Sequence, residues 1–439
     1  MNETGEALSG AAERTKAYTG GVLVLLMLLN ALNYVDRQII TVLAIPIKQD
    51  LGLTNTQIGL MSGLAFAIFY AVAGLPLAWA ADRWNRVTVL SVSLAVWSGM
   101  TALCGAAQNF AQLFAARVGV GIGEAGCTPP AHSLISDLVS PARRASALSF
   151  YALGIPVGSF IGLALGGYVA QAFGWKAAFM IVGLPGIALA FVLPLLIREP
   201  RRSQTRPDRI PSTREFFRDI AGKPSYWHFC AACSLTSLLN FGSGYFLGFF
   251  FNVKHGLSLG DIGILLGIML GIGWMLGISL GGYLSDRFLS RSRAAYALVP
   301  ATALVVGVPF AVLGYWVDDP IRALALLVVP TALNSFVFGP GYAVVQGVAA
   351  PRSRAFAIAV FLMIANLIGL GLGPVIVGGL TDWLGAYFAG GADCSAAGVC
   401  QAADALARQW ALIGVSLFAL WAALHLFLAA RSVDRDMVG

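Results

Sequence analysis

Four charged side chains interrupt apolar stretches of this chain, and their types suit moving protons and holding anions. Asp36 and Arg37 stand in Asn33-Tyr34-Val35-Asp36-Arg37; Arg117 and Glu124 bracket Arg117-Val118-Gly119-Val120-Gly121-Ile122-Gly123-Glu124. On insertion scales each charge at a bilayer centre costs roughly 2.5–3.5 kcal/mol. Charges kept there need partners, water or a function. On a helix, the seven-residue spacing puts Arg117 and Glu124 on one face, two turns and roughly 10 Å apart. Gly119, Gly121 and Gly123 carry no side chain, so a neighbouring helix can approach closely.

The elements around these residues read as membrane spans. The 439 residues are 58% hydrophobic and only 11% charged, with mean hydropathy +0.78. Soluble domains run near 45–50% apolar and about 25% charged. Spans are expected near 19–45, 57–81, 87–107, 110–136, 146–171 and 177–197, then 225–251, 260–284, 293–315, 322–348, 355–381 and 408–430. The fold class is therefore all-α, with twelve transmembrane helices in two six-helix halves, 1–197 and 225–439. A cytoplasmic linker, 198–224, joins them. It holds eight basic and four acidic residues with Pro200, Pro207 and Pro211, and reads as a tether or, over Glu215 to Ile220, a short surface helix. The apolar run 21–29 is signal-like, but no clean cleavage site follows, so it reads as an uncleaved first span. Of the 28 Lys and Arg, 21 fall in loops on the N-terminal side, and only Lys48, Lys176, Lys254, Arg322 and Arg408 fall opposite. The positive-inside rule then puts both termini in the cytoplasm.

Counting along the spans sets the depths of the four charges. The first span runs outward and the fourth inward, so Asp36 and Arg117 reach similar depth, as an ion pair or a structural clamp. Arg37 lies about 100° around the helix from Asp36 and cannot face Arg117 as well. It is left to contact substrate or the outer loops. Glu124 falls near the midplane with no second cation at its level. Desolvation then favours its protonated form, which suits a residue that gains and loses a proton; a permanently neutral structural role is the alternative. Asn30 and Asn33 are candidate hydrogen-bond partners, and His132 and His425 either titrate or pack helix ends.

The halves repeat. Leu53, Ile58, Gly59, Gly63, Ile68, Asp82 and Arg83 recur 204 residues later as Leu257, Ile262, Gly263, Gly267, Ile272, Asp286 and Arg287. Thr54…Gln57 and Ser258…Asp261 both resemble capping boxes. Parallel six-span halves are the plan of a two-bundle transporter. Their chemistry differs. The second half lacks mid-span charges and has Phe229, Phe241, Phe246, Phe249, Phe250 and Phe251 in one span, lining a cavity or facing lipid. Asn240, Asn334, Gln346 and Asn366 are its scattered polar residues, and with Asn33, Tyr34 and Phe241 they are the candidate cavity lining. Cys394 and Cys400, in an outer loop, are a candidate disulfide. Cys230 and Cys233 sit in an apolar run and show no metal pattern.

Asp82-Arg83-Trp84-Asn85-Arg86 resembles the loop signature of the major facilitator superfamily, and Gly282 with Asp286, Arg287 and Arg291 resembles its second copy. Ala78 and Asn85 stand where glycine is common; Asn85 could keep the turn by a left-handed backbone. The resemblance implies that Asp82, Arg83, Arg86, Asp286, Arg287 and Arg291 form a cytoplasmic gate. Gly158, Gly162, Gly166 and Gly167 resemble a fifth-span glycine motif of exporters, with Leu163 in place of proline. The first half is more closely similar to the spinster family of sphingolipid and lysolipid transporters. That similarity rests on Asn33 to Arg37, Asp82 to Arg86, Arg117 to Ala125, Ser136-Asp137-Leu138, Gly154 to Ser159 and Ile197 to Pro200. It implies that Asp36, Arg37, Arg117 and Glu124 serve proton coupling and substrate transport.

The expectation is a proton-linked transporter of an amphiphilic, anionic lipid, monomeric and lodged in a bilayer, the cytoplasmic membrane if bacterial. A carrier of small organic anions or drugs is the alternative. No cofactor, metal or nucleic acid partner is expected. The net charge of +7 lies mostly in short loops. Gly121 to Gly126 fits a dinucleotide-binding pattern but lies within a helix, not after a strand. An enzyme would need a nucleophile–base set or metal ligands at one membrane face, and none is evident. A receptor would need a signalling domain that the linker is too short to hold.

Overall fold

The computed structural model describes residues 3–140, 143–199, 213–289, 292–350, 353–390 and 397–437. Among them every regular element is helical. Nine stretches are long and apolar enough to cross a membrane, from Ala17–Leu51 to Cys400–Ala430. One of these, Ser146–Leu196, turns at Gly174, whose φ of 82° breaks the helix and makes two spans. The pair Phe110–Glu124 and Thr128–Leu138 supplies another span, broken at 125–127, and Pro224–His255 the last. Among the described residues the total is twelve candidate spans, the number expected from the sequence.

The chain clusters into two compact units. The first comprises Met1–Ile39 and Phe69–Thr205. The second comprises Ile40–Ile68 and Arg206–Gly439. This division differs from halves at 1–197 and 225–439, because residues 40–68 group with the second unit. The physical reason is a set of hydrogen bonds from Asn55 and Thr56 to Asp382, described below.

The helices begin with α1 (Glu3–Leu51) and α2 (Asn55–Gly59); a π-helical segment, Leu60–Leu64, leads into α3 (Ala65–Arg83). Then follow α4 (Arg86–Cys104), α5 (Phe110–Glu124), α6 (Thr128–Leu138), α7 (Arg144–Ala152) and α8 (Gly154–Leu196). Local chemistry starts several of them. Asn109 Oδ1 accepts the Gln112 N–H at 3.0 Å to start α5. Thr54 and Gln57 close the expected capping box at α2. Asn85 is not left-handed: its φ is −65°, and its side chain caps α4 by accepting the Thr88 N–H at 2.9 Å. The fifth-span glycines set α8 against α1. A Cβ at Gly162 would lie 2.7 Å from the Val35 carbonyl oxygen, and one at Gly158 would collide with Ala31. This contact fixes the α1 backbone on either side of Asn33.

The second unit opens with α9 (Thr213–Ala221), so the end of the linker is helical rather than a tether. Its Phe216 and Ile220 are buried, with Phe216 edge-on to Phe356 at 4.8 Å. Next come α10 (Pro224–His255), α11 (Leu259–Leu289), α12 (Ala295–Trp316), α13 (Pro320–Asn334), α14 (Phe338–Val348) and α15 (Arg354–Asn366). A second π-helical segment, Leu367–Leu372, leads to α16 (Gly373–Ala389). Last are α17 (Ala397–Ser416), α18 (Phe418–Ala430) and α19 (Val433–Asp436). Phe229, Phe246, Phe249, Phe250 and Phe251 are at most 3% exposed, so that run is core rather than lipid-facing.

Candidate functional site

In the first unit, α1 and α5 bring all four mid-span charges together. Arg117 Nη1 lies 3.7 Å from Asp36 Oδ1, with both side chains almost fully buried. Thr101 of α4 donates a short hydrogen bond to Asp36 Oδ2. Arg37 Nε donates to Glu124 Oε2 at 2.6 Å. Glu124 therefore has a cation at its level, contrary to the depth count. Side-chain direction explains this. Helical side chains slant toward the helix N-terminus, and Arg37 lies back over the preceding turn, its guanidinium 5.2 Å from the Tyr34 ring. It also lies over the ring of Tyr70 of α3, at 4.8 Å. The Glu124 side chain is 0% exposed and that of Arg37 20%, so Arg37 is the member of the pair within reach of solvent.

Asn33 is buried beside these pairs. Asn30 Nδ2 donates instead to the Tyr151 carbonyl at 3.0 Å. His132 packs edge-on to Tyr151, 5.2 Å between ring centres.

Arg86 is buried in the first unit, where Nε donates to Glu199 Oε1 and Nη1 to Asp137 Oδ2, both at 2.6 Å; Nη1 also donates to Ser133 Oγ at 2.8 Å. Glu199 further accepts the Val87 N–H. Arg86 thus ties the start of α4 to the ends of α6 and α8, and Asp137 and Glu199 gain their role from it. Arg83 is exposed and lies over the Trp79 ring at 4.0 Å. Asp286 is exposed and accepts from the Tyr296 hydroxyl at 3.0 Å, and Arg287 is also exposed. The Asp82 side chain and Arg291 lie outside the described residues.

In the second unit, the charges lie toward the ends of the spans. Asp382 on α16 accepts four hydrogen bonds: from Asn55 N–H and Nδ2 at 3.0 and 2.7 Å, and from Thr56 N–H and Oγ1 at 2.7 and 2.6 Å. Lys48 donates to Asn55 Oδ1 at 2.8 Å. A Cβ at Gly378 would collide with the Asn55 carbonyl, so the bare glycine admits this contact. Arg408, buried, pairs with Asp404 at 2.6 Å and lies over Phe249 at 4.7 Å.

Asn240 and Asn334 line one cavity of this unit; Phe241, Gln346 and Asn366 are outside its lining. His425 meets His228, Nδ1 to Nδ1, at 3.0 Å. Cys400 is disulfide-bonded and Cys104, Cys127, Cys230 and Cys233 are free; Cys394 lies outside the described residues. Among the described residues no group of three or more His, Cys, Asp or Glu could hold a metal ion.

Four participants escape sequence reasoning. Thr101 and Tyr70 are unremarkable polar residues in apolar spans, and only the packing of α4 and α3 makes them neighbours of Asp36 and Arg37. Asn55 and Asp382 are 327 residues apart, a distance no local pattern bridges.

Comparisons with known proteins agree with this architecture. The family model of the Major Facilitator Superfamily matches residues 26–374. A protein called MFS-type efflux pump from Mycolicibacterium smegmatis is 35% identical over 82% of this chain and 83% of its own length. Protein spinster of Drosophila melanogaster is 26% identical over 81% of this chain, which spans 61% of that longer protein. Among solved structures, a bacterial homolog of the human lysosomal transporter Spinster, inward-facing and unoccupied, superposes with a TM-score of 0.88. It is 32% identical, over 96% of this chain and 99% of that one.

Proposed function

Given that the chain belongs to the Major Facilitator Superfamily, whose members carry solutes across membranes, we propose that it is a proton-linked secondary transporter of an amphiphilic, anionic lipid. The class is a lysophospholipid or a sphingoid phosphate, moved by alternating access. The observation that carries this reading is the Arg37–Glu124 pair. While Glu124 is ionised, its carboxylate occupies Arg37. Protonation removes that negative charge and leaves a half-buried guanidinium in need of an anion. A phosphate or carboxylate headgroup supplies it, so proton and anion load together at little change in site charge. Tyr34 and Tyr70 lie against the guanidinium, and the Asp36–Arg117 pair keeps the neighbouring turn of α1 fixed. The lipid class follows from the resemblance of the first half to the spinster family.

In this scheme the sequence halves 1–197 and 225–439, joined through 198–224, are the moving bodies. Asp82, Arg83, Arg86, Asp286, Arg287 and Arg291 form the cytoplasmic gate of this scheme. The Asp382 clasp on Asn55 and Thr56 is the contact that must release at the other face. Both termini lie in the cytoplasm, and the transporter works as a monomer without a cofactor.

A second reading is efflux of smaller organic anions or drugs, favoured by the 35% identical efflux pump. The test is uptake into liposomes by purified protein under an imposed pH gradient, lysophospholipid against short organic anions. Lysophospholipid movement that needs the gradient supports the main reading. Movement of short anions alone rejects it in favour of the second.

A further inference from the structure

The second unit contains a cavity that the charge chemistry of the first does not use. It lies among α10, α11, α12, α13, α17 and α18 and encloses about 570 Å³ of non-atom space, part of it open to solvent. Leu239, Leu247, Met269, Val308 and Leu327 are among its apolar walls. Its polar groups are Asn240, Ser243, Tyr315, Thr331, Asn334 and Ser416. Four of these are already committed: Thr331 Oγ1 donates to the Leu327 carbonyl and Ser416 Oγ to the Leu412 carbonyl, both at 2.8 Å, and the Tyr315 hydroxyl lies against Ser243 and Ser416. Asn334 differs. Its Oδ1 is buried and has no hydrogen-bond partner. Interiors are packed to near crystal density. Cavities that stay empty are apolar, whereas an unmatched buried acceptor costs about 1–3 kcal/mol until a donor arrives.

We propose that this cavity is a binding site for the uncharged, hydrogen-donating end of an aliphatic molecule, an alcohol or a primary amide. The chemistry selects this class in three steps. No charged residue lines the cavity, so a carboxylate or ammonium group would enter without a counter-charge. The unmatched atom is an acceptor, so the ligand must donate, which excludes ethers, esters and plain hydrocarbons. The remaining wall is aliphatic and takes a chain. The site needs neither a proton nor the Arg37–Glu124 pair, so it goes beyond the transport reading and stands or falls apart from it.

The test uses the full chain in liposomes, without a pH gradient, and a diazirine-bearing octanol as the probe. After irradiation, labelled peptides are mapped by mass spectrometry. Labelling is expected at Leu239, Met269 or Tyr315, competed by octanol and not by octane or octanoate. Asn334→Leu should weaken it roughly five- to tenfold, the size of one lost hydrogen bond. The proposal is overturned if the label spreads without enrichment at these residues, or if octane or octanoate competes as well as octanol. Unchanged labelling in a folded Asn334→Leu protein overturns it too. The competition arms use only the native sequence, so they decide even if that variant fails to fold.

Discussion

Asp36, Arg37, Arg117 and Glu124 sit in mid-span in the first unit, whereas in the second the buried Arg408 and the half-buried Asp382 lie toward the ends of their spans, Cys400–Ala430 and Phe356–Ala389, and the buried Asp436 lies past the last span. The partners differ as well. In the first unit carboxylate meets guanidinium, and the partner of Glu124 is itself within reach of solvent. In the second, Asp382 is held by backbone N–H groups, a hydroxyl and an amide, and Asp436 by the Ser225 N–H and hydroxyl with the exposed Arg435 at 3.1 Å; none of these partners changes charge near neutral pH. A side chain paired to a cation can trade that partner for a proton. A carboxylate gripped by backbone amides at a helix start fastens chain segments together. The comparison therefore assigns working chemistry to the first unit and fastening to the charges of the second.

The largest effect should come from splitting the exchangeable pair. Arg37→Met strands the Glu124 carboxyl; loss of one partner of a buried pair is worth about 3–5 kcal/mol. Thermal unfolding should fall steeply for Arg37→Met and recover in Arg37→Met/Glu124→Gln, with uptake lost in both. A double variant no more stable than the single would erase the distinction between the units. Asp36 and Arg117 should couple in the same sense. Each single neutralisation should destabilise more than the pair together, and a double-mutant cycle that adds up linearly would deny their contact.

A smaller effect is expected at the clasp. Asp382→Asn weakens hydrogen bonds that are charge-assisted, each worth about 1.5–3 kcal/mol. Hydrogen exchange at the Asn55 and Thr56 amides should accelerate, while the first unit keeps its protection. Protection unchanged at both amides would argue that the clasp fastens nothing.

The smallest effect concerns Asp436, outside the spans. Burial pushes its carboxyl up, but the Ser225 N–H at 3.0 Å, the Ser225 hydroxyl at 2.8 Å and Arg435 outweigh burial and leave it below the ordinary carboxylate value of 3.8. A carboxyl depressed on folding adds stability above its unfolded value. That stability fades as pH falls from about 3.8 through the lower folded value. Asp436→Asn should therefore be less stable than wild type at neutral pH and converge with it at acid pH, so its stability falls less across the acid range; identical stability profiles would contradict this.

Much of this division was legible in the sequence, but unevenly. Twelve spans follow from hydropathy, and the Asp36–Arg117 contact from antiparallel depth counting, because both depend only on rise per residue. Arg37–Glu124 did not follow, because counting Cα positions ignores the reach of an arginine lying back toward its helix N-terminus. The fifth-span glycines were visible as a motif, yet their partner, the α1 backbone from Ala31 to Val35, was not. Asp82 to Arg86 reads as one gate; packing also ties Arg86 to Asp137 and Glu199. The placement of residues 40–68 with the second unit depends on Asp382, too far along the chain for any spacing rule.

The most direct test of the central claim is lysophospholipid binding by wild type and Glu124→Gln across pH, in liposomes with no gradient. If the Glu124 carboxylate and the anion compete for Arg37, wild-type binding tightens as pH falls. Glu124→Gln then binds tightly at every pH, because its amide never claims the guanidinium as an ion pair. A variant that keeps the wild-type pH slope would contradict the account.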